Sequence, residues 1–156
     1  MWIVGEETKI QWCHHTLNGL RGCSKVVNER ADLEDSGCSR CYAESMSKRN
    51  PKLLGVWGEE GTRVLASDKM WAEPLRWNSD AATAGERHRV FSYSLGDVFE
   101  RPVKPENLAV CEAARARLWP LIERTTNLDW MLLTKRPANI MDMVPANILS
   151  GQPWIS

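Results

Sequence analysis

Cys38 and Cys41, in the run Gly37-Cys38-Ser39-Arg40-Cys41-Tyr42-Ala43-Glu44, are separated by two residues, a spacing that can aim both sulfurs at one point. Cys23, in Gly22-Cys23-Ser24-Lys25-Val26, can bring a third sulfur there across the intervening loop. Three thiolates are one too few to close a tetrahedral structural zinc site. They suit a four-iron cluster that leaves one iron open to an outside ligand, and an open iron means chemistry rather than scaffolding. Two other readings stand beside this one: zinc, with Cys13 as a fourth ligand, and thiols that hold no metal. A zinc ribbon normally shows two close cysteine pairs, whereas this chain has one. His14 and His15 are adjacent, do not easily face one ion together, and read as surface or loop histidines. Cys111 falls on the apolar face of a helix and reads as core.

The chain that must position these residues has 156 of them, enough for one domain (1–156) with a real core. Lys plus Arg (20) equals Asp plus Glu (20), which excludes a polybasic nucleic-acid binder and leaves only a local patch for any such contact. No apolar run approaches the roughly 20 residues of a membrane helix, so no membrane partner is expected. The start, Met1-Trp2-Ile3-Val4-Gly5-Glu6-Glu7, lacks the basic end and apolar centre of a signal peptide, and the expected compartment is the cytoplasm. In that reducing setting five cysteines, an odd number, argue for metal rather than disulfides.

Residues 1–50 read as a cysteine loop followed by a first helix. Lys9 to Trp12 alternates as a short strand, Cys13 to Ser39 as a long loop with a solvated charged run at Glu29 to Asp35, and Cys41 to Arg49 as a helix stopped by Asn50-Pro51. The third cysteine then sits at a helix N-terminus, where the dipole favours an anion. Residues 51–88 read as a decorated crossover, with a brief strand at Thr62 to Ala66 and a half-turn docking aromatics at Trp71 to Trp77. Residues 89–156 read as two further βα units and the start of a fourth strand. Their strands are Arg89 to Leu95 and Leu128 to Thr134. Their helices are Pro105 to Thr125, which Pro120 should bend or split, and Pro137 to Met143, with Pro153 to Ser156 opening the last strand. Alternating strands and helices imply a parallel sheet of three to four strands with flanking helices, an α/β fold whose chemistry gathers at the C-terminal ends of the strands. The cysteine loop, Gly96-Asp97 and Thr134-Lys135-Arg136 would share that rim. Plain readings exist for each: Asp97 as a turn or cap residue, Lys135 and Arg136 as solvated charges before a helix. The tryptophans read as core, although Trp57, Trp71 and Trp77 could stack a nucleobase if exposed.

One family resemblance runs through the chain. Thr8-Lys9-Ile10-Gln11-Trp12, Gly22-Cys23, Gly37 to Glu44, Glu73-Pro74-Leu75-Arg76-Trp77, Arg89-Val90-Phe91, Ser94-Leu95-Gly96-Asp97-Val98-Phe99 and Leu133-Thr134-Lys135-Arg136-Pro137 resemble a family of phage- and mobile-element-associated domains of unknown function. That family has three cysteines and is related to radical S-adenosylmethionine (radical SAM) enzymes. The resemblance implies a [4Fe-4S] cluster on Cys23, Cys38 and Cys41, with S-adenosylmethionine chelating the fourth iron. One electron from such a cluster splits the sulfonium into methionine and a 5′-deoxyadenosyl radical, which takes hydrogen from substrate. It further implies Tyr42, Ser94, Gly96, Asp97, Thr134, Lys135 and Arg136 around the cofactor, with Asp97 accepting from the methionine ammonium. The substrate is unassigned, and nucleic acid or a nucleoside is the expectation that the phage context suggests. Two departures are plain. Residues 24–37 separate the first two cysteines where the usual spacing is three residues, and Arg40 stands where an aromatic commonly precedes the last one. A full or three-quarter TIM-type barrel needs six to eight βα units and on the order of 200 residues. The chain is therefore expected to form a partial, truncated TIM-type βα barrel, and a homodimer or a partner chain to complete it. A catalytically inactive truncated remnant, or a zinc-binding interaction module, is the alternative.

Overall fold

The computed structural model describes residues 4–5, 10–26 and 37–151, with backbone alone at 4, 5 and 151. Its sheet has the order β1 (Val4–Gly5), β2 (His15–Leu17), β5 (His88–Ser92), β6 (Leu128–Leu132). The strands β2, β5 and β6 run parallel, with His15 opposite Val90 and Val90 opposite Trp130, while β1 caps one side antiparallel. A small antiparallel pair, β3 (Leu20–Arg21) with β4 (Val64–Leu65), sits beside the rim. Among the described residues the sheet is open, and β6 is its last strand. The architecture is mixed α/β, a three-stranded parallel sheet with flanking helices. No described helix is long and apolar enough to cross a membrane.

The helices cover the sheet with stripes set by the 3.6-residue period. In α4 (Pro105–Arg124) the buried positions Cys111, Ala114, Leu118, Leu121 and Ile122 follow helical spacing. They meet Leu17, Val90, Leu128 and Trp130 from the sheet and Trp77 from α3 (Asp68–Ala84). Removing each such large side chain from water contributes about 1.5–3 kcal/mol. Cys111 is fully buried in this core, as its helix face implies. Pro120 lies inside α4 without splitting it. An apolar cavity of about 610 Å³ runs along β6, walled by Trp119, Trp130, Leu132, Ile140, Val144 and Ile148. Ile140 belongs to α5 (Ile140–Met143) and Ile148 to α6 (Ala146–Gly151).

Three expectations need correction. Gln11 and Trp12 form a turn, and the strand that enters the sheet is His15–Leu17; Trp12 is about half exposed and meets Phe91 edge-on. β2 itself hides in what reads as loop. Cys13 to Ser39 accordingly holds two short strands, β2 and β3. Trp71 to Trp77 is no half-turn but part of the 17-residue α3. Ser67 caps it by accepting from the Met70 N–H, and Gly85 ends it in the left-handed conformation at φ 70°. The expectations at Lys9, at Glu29 to Asp35 and at Pro153 to Ser156 lie outside the described residues.

Candidate functional site

The C-terminal ends of β2, β5 and β6 feed three loops that close on one cavity of about 120 Å³. Its wall contains Cys23, Cys38 and Cys41 together with Tyr42, Ser94, Gly96, Asp97, Thr134, Lys135 and Arg136, which are all ten residues singled out from the sequence. Backbone crossings set this convergence. The Gly22 N–H donates to the Leu95 carbonyl at 2.9 Å, and Gly22 and Gly96 form a parallel bridge. At Gly22, with φ 91°, a side chain would run into the Thr62 carbonyl oxygen. A Cβ on Gly96 would lie 2.7 Å from the Leu20 carbonyl oxygen. Only glycine lets the two loops approach this closely. Asn18, buried after β2, accepts from the Leu95 N–H at 3.0 Å and the Ser94 hydroxyl at 3.2 Å. The Tyr42 hydroxyl donates to the Ser94 carbonyl at 3.1 Å from the start of α1 (Tyr42–Arg49), whose N-cap is Cys41. Lys135 Nζ donates to the Gly37 carbonyl across the mouth.

Asp97 is 3 % exposed and fastens the loop after β5 to the loop after β6. One of its oxygens accepts from the Phe99 N–H and the Thr134 hydroxyl, both at 2.9 Å. The other accepts from the Lys135 N–H at 3.0 Å and Arg136 Nη1 at 3.1 Å. These donors fill the acceptor sites of a carboxylate. The same Nη1 lies 3.3 Å from Cys23 Sγ, and Arg136 Nη2 donates to the Ser24 carbonyl at 2.9 Å.

Behind Arg136 stands Glu100, 1 % exposed and invisible as a site residue in the sequence. Arg63 grips it in a fork, Nε to Oε2 at 2.6 Å and Nη2 to Oε1 at 2.8 Å. The Ser24 hydroxyl and N–H both reach Oε1, at 2.6 and 2.8 Å. Burial pushes the Glu100 carboxyl up, but the hydrogen bonds and the guanidinium charges outweigh it and its pKa lies below the usual value. Arg136 shows the converse balance: burial disfavours its cation, and Cys23, Glu100 and Asp97 together raise its pKa. Two guanidiniums thus meet two carboxylates behind Cys23. Burial, with the Glu100 charge, pushes the Cys23 thiol up to about 12 against the lowering effect of Arg136. Without a metal Cys23 is a thiol that donates to the Ser24 carbonyl at 3.2 Å, so a metal bound there must displace a proton.

None of the cysteines forms a disulfide. Among the described residues no three His, Cys, Asp or Glu side chains close on a point where a single ion would sit. Three cysteines on one cavity wall fit a cluster in donor type. Cys13 precedes β2, while the cavity follows it, and Cys13 is not among the residues of its wall.

Away from the cavity, His15 is a buried strand residue rather than a surface or loop one, whereas His14 is half-buried in the bend before β2. His15 is 6 % exposed and its ring stacks on Trp77 at 4.4 Å; Nε2 bonds His88 Nδ1 at 3.0 Å. His14 stacks on His88 at 4.7 Å and accepts from the Arg89 N–H at 2.9 Å. Trp71 and Trp77 are buried, so of the three candidate stacking rings only Trp57 borders the cavity.

No curated protein and no solved structure matches the chain. One family model does, across residues 7–155. That span contains β2, β5 and β6 and every residue of the cavity wall. The chain belongs to the family described as Protein of unknown function (DUF5131).

Proposed function

We propose that this chain is a radical SAM-like protein that holds a [4Fe-4S] cluster on Cys23, Cys38 and Cys41 and takes S-adenosylmethionine beside it. The observation that supports this most is the meeting of three cysteines and the Gly96-Asp97 and Thr134-Lys135-Arg136 loops on one cavity at the C-terminal ends of parallel strands. When bound, the cluster supplies one electron for reductive cleavage of the sulfonium. This chain's own residues hold and orient. The Tyr42 hydroxyl fixes the Ser94 carbonyl at the mouth, Gly96 lets the backbone come close, and Trp57 and Leu133 offer apolar cover against water. Asp97, with its oxygens taken by Phe99, Thr134, Lys135 and Arg136, holds the loops in place rather than meeting the methionine ammonium directly.

The same reading makes the open sheet the front part of a TIM-type βα barrel, with β6 the edge that a second copy or a partner chain would extend. The substrate is a nucleic acid or nucleoside in this reading, with Trp57 as the ring available for stacking. The test is anaerobic reconstitution with iron and sulfide, followed by electron paramagnetic resonance of the reduced protein with and without S-adenosylmethionine. A cluster signal that changes shape on addition of the cofactor, and is lost in Cys38→Ala, supports the proposal. A wild-type chain that assembles no cluster, or binds one indifferent to Cys38→Ala, overturns it and leaves a zinc module or a remnant.

A further inference from the structure

We infer that Arg136 is a positioning residue that sets the reduction potential of the cluster through Cys23. This rests on the cluster reading above and adds to it a specific function for one side chain. The Arg136 guanidinium reaches a cysteine sulfur, with Nη1 3.3 Å from Cys23 Sγ. Its aim is fixed from four directions. Asp97 Oδ2 takes Nη1 at 3.1 Å, the Ser24 carbonyl and hydroxyl take Nη2 at 2.9 and 3.2 Å, and Glu100 Oε1 lies 3.5 Å from Nη2. The Arg136 N–H is itself held by the Thr134 hydroxyl at 2.9 Å. A loop tie alone would need fewer contacts, and none of them to sulfur. Glu100 is in turn held by Arg63, so the carboxylate that faces Arg136 cannot swing away.

The consequence follows from charge. Reduction of the cluster by a low-potential one-electron reductant such as dithionite places one further negative charge on the cluster, shared with its thiolates. A cation and N–H donor at the Cys23 sulfur stabilises that charge more in the reduced state than in the oxidised one, and so raises the potential. The site is 14 % exposed at the Arg136 side chain, where screening by water is weak and the effect is correspondingly large. Hydrogen bonds to the sulfurs are among the levers by which a protein tunes such centres.

The test is a redox titration of reconstituted protein, followed by electron paramagnetic resonance, with iron and sulfide content measured on the same samples. Arg136→Met should hold a cluster with wild-type iron content and titrate at a lower potential, and Arg136→Lys, which keeps the charge but loses the fork, should fall between. A purely structural role would change cluster occupancy and leave the potential of the occupied fraction where it was. An Arg136→Met protein that holds its cluster at the wild-type potential overturns the inference while leaving the cluster reading intact. If Arg136→Met holds none, Arg136→Lys decides: a lowered potential supports the inference and an unchanged one overturns it. A wild-type chain without a cluster overturns both.

Discussion

The two ends of the three parallel strands solve the same problem in opposite ways. At the C-terminal ends, Glu100, Asp97, Arg63 and Arg136 each have partners of opposite charge within hydrogen-bond reach, and these lower the pKa of Glu100 and raise that of Arg136. At the N-terminal ends, His15 is buried to a similar depth, but among the described residues no carboxylate bonds to it. Desolvation first, then the neighbouring His88, His14 and Arg76, lower its pKa to about 4, and the nearby Asp80 does not offset them. Burial keeps a charge where it is paired and expels it where it is not. The C-terminal end opens on a cavity, whereas at the N-terminal end rings stack, His15 on Trp77 and His14 on His88. The cavity thus lies at the end of the strands where parallel βα architectures generally carry their sites.

The sharpest way to break the comparison is Glu100→Ala. It strands the Arg63 guanidinium, which is fully buried, and should cost about 3–5 kcal/mol in denaturant unfolding. An unchanged midpoint would mean that the network is ornamental and that the C-terminal end does not depend on its pairing. The next effect is on pH dependence. His15 has a folded pKa below its unfolded value of 6.5, so the unfolded chain binds more protons between the two. The contribution of its neutral form is present above pH 6.5 and lost as pH falls toward about 4. Glu100, with a folded pKa below 4.5, contributes above that value and loses its share only below it, so the two ends fail in sequence on acidification. His15→Gln should flatten the unfolding midpoint across the upper window alone. A profile that keeps its slope there assigns the acid sensitivity to other groups.

How legible these ends were in the sequence differs for physical reasons. The cavity was legible because Cys-x-x-Cys spacing, a strand-ending Gly-Asp and Thr134-Lys135-Arg136 are local signals, and a parallel sheet gathers strand ends without further information. Glu100 and Arg63 were not, because nothing local distinguishes a buried pair 37 residues apart from two solvated charges. Helix α3 was hidden by Pro74, which lies inside it, although its Ser67 and Gly85 caps stand plainly in the sequence. β2 was hidden because two of its three residues, His15 and Thr16, are polar yet buried, and only Leu17 has the apolar character that marks a strand. The family match reaches across the same span and assigns no function.

Smaller effects sharpen the contrast. On the cluster reading Cys38→Ala should abolish iron uptake, yet shift the metal-free chain by no more than about 1 kcal/mol, since Cys38, although buried, lines the cavity and lies outside the two apolar clusters. A loss of several kcal/mol would give Cys38 a packing role and weaken its reading as a ligand. The smallest effect is expected at the N-terminal end, in Asp129→Asn. Asp129 accepts from Arg87 Nη2 at 2.6 Å and Nε at 2.9 Å, a geometry as close as that of Arg63 on Glu100. The pair is nonetheless half open, with the Arg87 side chain 49 % and the Asp129 side chain 33 % exposed. Water and salt screen it, and Arg87 keeps the Thr126 carbonyl as an acceptor at 2.6 Å when the carboxylate is gone. The loss should therefore be about 0.2–1 kcal/mol and shrink further in high salt, read as unfolding midpoints at two ionic strengths. If Asp129→Asn instead cost as much as Glu100→Ala, hydrogen-bond geometry and not burial would govern what an ion pair contributes here, and the contrast between the two ends of the sheet would fail.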